Sequence, residues 1–318
     1  MVNQKKKRTS KKKKAKKKSS ARLQLTQIII SILILLILVV VAGWLLRQAL
    51  LKNHPLNVAA SRSIHQKANS EKFTFEVYPK QDVPSAKQKS EPVTPFSGHR
   101  PKIGIILDDV GYDIDIVKKF LAIDSPITLS ILPQSPYQKQ IVALARDAGC
   151  DIMLHLPMEP KEYPAVNPGP GTLLTTMSAD ELIGLLKKDL DEIPIIKGVN
   201  NHMGSKMTTE AEKMRQIFSV LKKRGLFFID SRTTAQTICK ASAQLLHVPF
   251  EERDVFIDHK RNGDFIHHQM EELLRIAKAH GKAIGIAHPH KSTVRVLSKM
   301  IPEMKKNVMF VPVSELVN

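Results

Sequence analysis

Apolar and polar positions divide this 318-residue chain into three regimes. Ile28 to Leu46 is apolar throughout, with Ser31 its one clearly polar side chain. From Leu51 to Arg100 apolar periodicity is weak, and Lys, Gln, Ser and Pro dominate, including Pro79, Pro84, Pro92 and Pro95. Beyond Arg100, short apolar runs alternate with amphipathic ones, which is the pattern of repeated βα units. The runs predict strands at 103–107, 127–132, 151–155, 196–200, 226–230, 248–257, 283–288 and 308–312. Between them the spacing predicts helices over 113–122, 137–148, 178–191, 208–224, 235–246, 264–280 and 292–304. Ser178 before Glu181, and Thr208 or Thr209 before Glu212, have the form of capping boxes, while Gly149, Gly225 and Gly281 mark helix ends. Eight strands alternating with helices predict a compact, distorted (β/α) barrel over 101–318, with a doubly wound open sheet as the alternative.

The apolar stretch predicts a membrane helix, because 19 residues at about 1.5 Å each reach roughly 28 Å, close to the hydrocarbon thickness of a bilayer. Residues 1–22 hold 12 Lys or Arg and no acid, and such a basic flank stays on the cytoplasmic side. Trp44 suits an interfacial anchor, and Ala42-Gly43-Trp44 is a poor cleavage site, so the expectation is an uncleaved single-pass anchor within 23–50. The remainder then lies extracytoplasmically, tethered to the inner membrane by a flexible linker over 51–100. Phe73 to Tyr78 alternates enough for a short strand inside that linker.

Charge sharpens the division. The net charge of +19 is concentrated ahead of residue 101, whereas 101–318 carries 28 basic and 26 acidic residues. A nucleic-acid partner therefore has only the Lys tail to support it, and none is expected. Cys150 and Cys239 match no metal spacing and read as packing residues.

The candidate chemistry gathers at the carboxyl ends of the predicted strands. KIGIILDDVGY ends its apolar run in Asp108 and Asp109, followed by Gly111. Neighbouring side chains on a strand face opposite ways, so two acids serve one site only if the chain is already turning there. The later strands end in His155, in Asn200, Asn201 and His202, in Asp230, Ser231 and Arg232, in Arg253, Asp254 and Asp258, and in His288 and His290. A barrel brings all such ends around one bowl. Carboxylate and imidazole together suit zinc or another divalent transition metal, with a position left for water. The expected ligands are Asp109, His155 and His202, the expected base is Asp108, and the expected acid is His288. His267 and His268 fall inside a predicted helix and read as solvated surface.

The ordered stretches IGIILDDVG, LSILPQSP, DIMLHLPMEP, GVNNHMGSKMT, FFIDSRTT and AIGIAHPH resemble the divergent polysaccharide deacetylases, the YibQ-like relatives of NodB-type carbohydrate esterases. The resemblance spans roughly 101–318 and implies a NodB-type distorted barrel. It maps the family's base and metal aspartates onto Asp108 and Asp109, and its late Leu-x-His motif onto Ile286-Ala287-His288. The family's pair of histidines four residues apart is met by His155 but by Glu159 at the second place. Its Arg-Pro-Tyr motif is replaced by Asn200, Asn201, His202 and Gly204, so the resemblance leaves His202 to supply the missing imidazole. Asp230 and Arg232 resemble the pair that orients the catalytic histidine. The activity implied is metal-dependent removal of N-acetyl groups from an envelope polysaccharide such as a peptidoglycan-like glycan. The departure at Glu159 also admits a barrel that has become a binding or scaffold protein.

Overall fold

The computed structural model describes residues 100–193 and 195–317. The basic tail, the membrane helix over 28–46 and the linker, with its strand near Phe73, lie outside the described residues. No helix among the described residues is long and apolar enough to cross a membrane.

The strands are β1 (Lys102–Val110), β2 (Thr128–Ile131), β3 (Ile152–Met158), β4 (Gly198–Met203), β5 (Phe227–Asp230), β6 (Phe250–Glu252), β7 (Val255–Phe256), β8 (Lys282–Ala287) and β9 (Met309–Phe310). The helices are α1 (Ile114–Leu121), α2 (Gln138–Asp147), α3 (Ala179–Asp191), α4 (Ala211–Arg224), α5 (Cys239–Leu246), α6 (Gly263–His280) and α7 (Lys291–Met304). One parallel sheet runs in the order β6-β5-β4-β3-β2-β1-β8-β7, with β9 added beside the start of β1. This is a curled α/β half-barrel, consistent with the NodB type. The apolar run expected as one strand over 248–257 divides into β6 and β7, which pair outward with β5 and β8 and leave the curl open between them.

Period-two alternation sorts the strand residues into two cores. Ile103, Ile105 and Leu107 on β1, Leu154 on β3, Val199 on β4 and Phe228 on β5 join the large layer beneath the helices. Ile106, Met153, Phe227, Ile229, Phe256, Ile284 and Ile286 point the other way, into the curl, where Val311, Val313 and Leu316 close its floor. Val313 N–H donates to Thr128 Oγ1 at 3.0 Å, fixing that floor to β2. On the inner face Gly198 lies opposite Phe227, and a Cβ at Gly198 would come within 2.3 to 2.5 Å of that ring.

Local signals act as the sequence implies at several helix ends. Asp113 caps α1 by accepting from Ile116 N–H at 3.0 Å, and Ser178 with Glu181 forms a complete capping box on α3. Gly225 (φ 65°) and Gly281 (φ 81°) end α4 and α6 in the left-handed conformation. The expected box at Thr208 or Thr209 is not formed: both belong to a 3-10 turn, Met207–Thr209, and α4 starts after Glu210 without a side-chain cap.

Candidate active site

The inward positions change character along each strand. Two residues beyond the last apolar inward side chain, the same parity places Asp108 after Ile106, His155 after Met153, Ser231 after Ile229, Asp258 after Phe256 and His288 after Ile286. On β4 the series is Gly198, Asn200, His202. The polar bowl is therefore the barrel interior continued past its apolar floor.

Asp109 breaks this parity and enters the bowl nonetheless. The pairing of β1 with β2 slips between Leu107 and Val110, and Asp109 takes φ 55°, so a bulge turns the second carboxylate to the same side as the first. Aspartate is among the few residues that tolerate this region. Gly111 then packs so closely on the loop after β2 that a Cβ there would lie 2.1 Å from Ser135 Oγ. Met203 (φ 55°), the last residue of β4, and Arg232 (φ 51°), just beyond β5, make comparable turns, the former held by Asn201 Nδ2, which donates to Met203 O at 2.8 Å.

Asp109, His155 and His202 converge. Asp109 Oδ1 lies 3.1 Å from His155 Nε2 and 2.9 Å from His202 Nδ1, and those two nitrogens are 3.1 Å apart. Ligand atoms around a tetrahedral ion with bonds of 2.0–2.1 Å are about 3.3 Å apart, so this triangle needs only slight expansion to receive one. His155 is buried, while the side chains of Asp109 and His202 are 20 % and 15 % exposed, which leaves one edge of the triangle open to solvent. Burial alone would raise Asp109, but His202 and the two imidazole contacts hold its carboxyl well below the usual range. For His155 burial opposes the charge, and Asp108 and Asp109 outweigh it, raising the imidazole above its ordinary value.

Behind the triangle, Asp108 is 2 % exposed and its oxygens accept from Asn200 Nδ2 at 2.8 and 3.0 Å. Burial raises its pKa, against the pull of His155, His288 and Asn200. Asn200 also lies 3.0 Å from His155 Nδ1 and accepts from Ser130 Oγ.

On the far side of the bowl, Asp258 Oδ1 lies 2.7 Å from His288 Nδ1, while its Oδ2 accepts from His288 N–H at 2.8 Å and from Thr293 Oγ1 at 2.7 Å. Burial works against the imidazolium, yet Asp258, followed by Asp109 and Asp108, raises His288 to about 10. Next to it His290 is lowered to about 4, chiefly by burial, with Arg261 and His288 adding to the effect.

The structure gives Asp230 and Arg232 other partners than His288. Asp230 shares the parity of Phe228, on the helix side of β5, and accepts from Thr237 Oγ1 at 2.7 Å and Arg232 N–H at 2.8 Å. Arg232 Nη1 donates to Glu252 Oε1 at 2.6 Å. Sheet order explains the difference: β7 pairs with β8, so Asp258 adjoins His288, whereas β5 stands four strands further round, beyond β4, β3, β2 and β1. Glu159 turns away from the triangle. Its carboxylate pairs with Lys206 Nζ at 2.7 Å and accepts from Thr175 N–H, while its backbone O accepts from Lys206 and Met207 N–H. It thereby ties the turn after His202 to the 173–175 loop. His267 and His268 are exposed on α6 beside Glu271. Two surface clefts of about 410 and 350 Å³ lie at the amino end of β2, around Ile123, Asp124 and Lys305, and touch none of these residues.

Comparison with known proteins places the chain in a family and agrees with its fold. Residues 105–317 match the family described as divergent polysaccharide deacetylase. The uncharacterized protein YibQ of Escherichia coli K12 is 34 % identical over 217 residues, covering 68 % of this chain and 67 % of that one. An uncharacterized protein of Haemophilus influenzae is 30 % identical over 223 residues, covering 70 % and 79 %. The crystal structure of an uncharacterized protein from Agrobacterium tumefaciens C58 superimposes with a TM-score of 0.67 at 28 % identity, covering 70 % of this chain and 91 % of that one.

Proposed function

Because this chain belongs to the divergent polysaccharide deacetylase family, we propose that it is a metal-dependent hydrolase that removes N-acetyl groups from an envelope glycan. The observation behind this reading is the triangle of Asp109 Oδ1, His155 Nε2 and His202 Nδ1, with sides of 2.9 to 3.1 Å and one open edge. A carboxylate and two imidazoles suit zinc, and such an ion, when bound, polarises a carbonyl oxygen and acidifies water. Asp108, held by Asn200 beside the triangle, is placed to accept a proton from the attacking water. His288 faces it across the bowl, and Asp258 keeps that imidazole protonated and oriented to donate to the leaving nitrogen.

A glycan needs apolar faces as well as hydrogen bonds. Tyr112 and Tyr137 are 45 % and 40 % exposed, and both are fixed to the β1 turn, since Tyr137 N–H donates to Gly111 O at 3.0 Å. They supply stacking surfaces for sugar rings at the rim. We assign the domain to the outer face of the inner membrane, on the strength of the uncharged stretch Ile28–Leu46 and the basic residues ahead of it.

Glu159 favours a second reading, a barrel that binds a glycan without turning it over, because it spends its carboxylate on Lys206 where the family pattern has a ligand. Metal analysis of the purified protein together with acetate release from an N-acetylglucosamine oligomer separates the two. The hydrolase requires bound metal, release of acetate, and loss of that release in Asp108→Asn with metal retained. Bound metal with no release from any acetylated glycan would establish the second reading.

A further inference from the structure

Asn200 is fully buried, and each side-chain hydrogen and lone pair has a use. Nδ2 donates to both oxygens of Asp108, at 2.8 and 3.0 Å, and to Ser231 Oγ at 3.3 Å. Oδ1 faces Ser130 Oγ–H and, at 3.0 Å, His155 Nδ1. The amide has one workable orientation, because turning it over would set Oδ1 against two carboxylate oxygens. Oδ1 is therefore an acceptor, and His155 Nδ1 carries a hydrogen toward it, while Nε2 faces Asp109 Oδ1. We infer that Asn200 is a positioning residue that fixes the His155 tautomer, leaving the Nε2 lone pair for the metal triangle, while its amide hydrogens hold the Asp108 carboxylate.

The sheet makes the coupling rigid. His155 and Asn200 are register partners across β3 and β4, and Ile229 of β5 is the partner of Asn200 on the other side. The ladder therefore holds the two Cα positions side by side, with both side chains on the same face of the sheet. A histidine ligand is oriented in this way by what its second nitrogen donates to, and loss of that acceptor costs roughly 10–100-fold in metal affinity. One amide thus serves a ligand with its oxygen and the proposed base with its nitrogen.

This inference rests on the metal-centre reading, but its test can be separated from it. The full chain in detergent, labelled with ¹⁵N at histidine, reports which ring nitrogen of His155 carries hydrogen at a pH that leaves the ring neutral. The His155 signals are identified by their loss in His155→Gln. The expected wild-type ring is protonated at Nδ1. In Asn200→Ala the proton should redistribute to Nε2, and zinc affinity by competition with a chelating dye should fall roughly 10–100-fold. Asn200→Asp keeps an oxygen facing His155 Nδ1 and makes Asp108 share a proton with a second buried carboxyl group, so it should retain the Nδ1-protonated ring and zinc binding while acetate release falls. A wild-type ring protonated at Nε2, or zinc affinity unchanged in Asn200→Ala, would overturn the inference. Should Asn200→Ala not fold, the wild-type and Asn200→Asp spectra decide. A wild-type ring protonated at Nδ1 in a protein that binds no zinc would sink the metal reading and leave the role of Asn200 intact.

Discussion

Replacing Asp258 by asparagine tests what holds His288 in its charged form. The carboxylate meets the His288 ring, its backbone N–H and the Thr293 hydroxyl, all within 2.8 Å. Burial opposes the charge, yet Asp258, with smaller help from Asp109 and Asp108, lifts the imidazole from 6.5 to about 10. At 1.36 kcal/mol for each pH unit, that rise amounts to roughly 5 kcal/mol. Because three carboxylates share it, Asp258→Asn should cost roughly 3 kcal/mol, the order expected when a buried pair loses one partner. For a domain of this size, that lowers Tm by roughly 6–12 °C. The folded value lies above the unfolded one, so the stabilisation is complete below pH 6.5 and is lost as pH rises to about 10. Thermal unfolding of metal-free wild type and variant across that window should therefore show a deficit that narrows with pH. A deficit constant from pH 6.5 to 10, or a wild-type His288 that titrates near 6.5, would refute the assignment.

Three further outcomes follow from the geometry. Protons compete for His155, whose pKa is raised in the fold, so metal affinity should rise with pH through that value; equilibrium dialysis at several pH values that found no such dependence would contradict the ligand assignment. Glu159→Gln leaves the part-exposed Lys206 Nζ without its carboxylate and should destabilise the protein by roughly 0.5–1 kcal/mol in urea unfolding while metal content stays the same; a lost metal would instead make Glu159 a ligand. Gly198→Ala drives a methyl group into the Phe227 ring and should cost roughly 1–3 kcal/mol, whereas a variant as stable as wild type would show that the inner face of β4 can yield.

The barrel was legible because its strands are short apolar runs with helical segments between them, and because β1, β3, β4, β5 and β8 each carry polar residues in, or just beyond, their carboxyl halves. Parity within a strand was equally available: counting in twos from Ile106, Met153 or Ile286 leads to Asp108, His155 and His288. The same count would have taken Asp230 out of the bowl and put Asp258 in, since Asp230 shares the parity of Phe228. The sequence does not disclose that the run over 248–257 breaks so that β7 pairs with β8, and that pairing is what gives His288 to Asp258 rather than to Asp230. Nor does it reveal the work of Asn200, because an asparagine at a strand end is equally suited to a turn and its four partners come from β1, β2, β3 and the residue after β5. The destination of Glu159 depended on Lys206, 47 positions away.

The kink at Asp109 restricts the choice of residue there in two independent ways. A left-handed backbone at φ 55° is comfortable for glycine, asparagine and aspartate, and costs every bulkier or branched residue about 1 kcal/mol or more. An anionic oxygen at the same spot excludes the first two. Glutamate, which would keep the charge, loses the backbone, and asparagine, which would keep the backbone, loses the charge. Conformation and chemistry thus intersect in a single amino acid, and no conservative exchange at this position satisfies both.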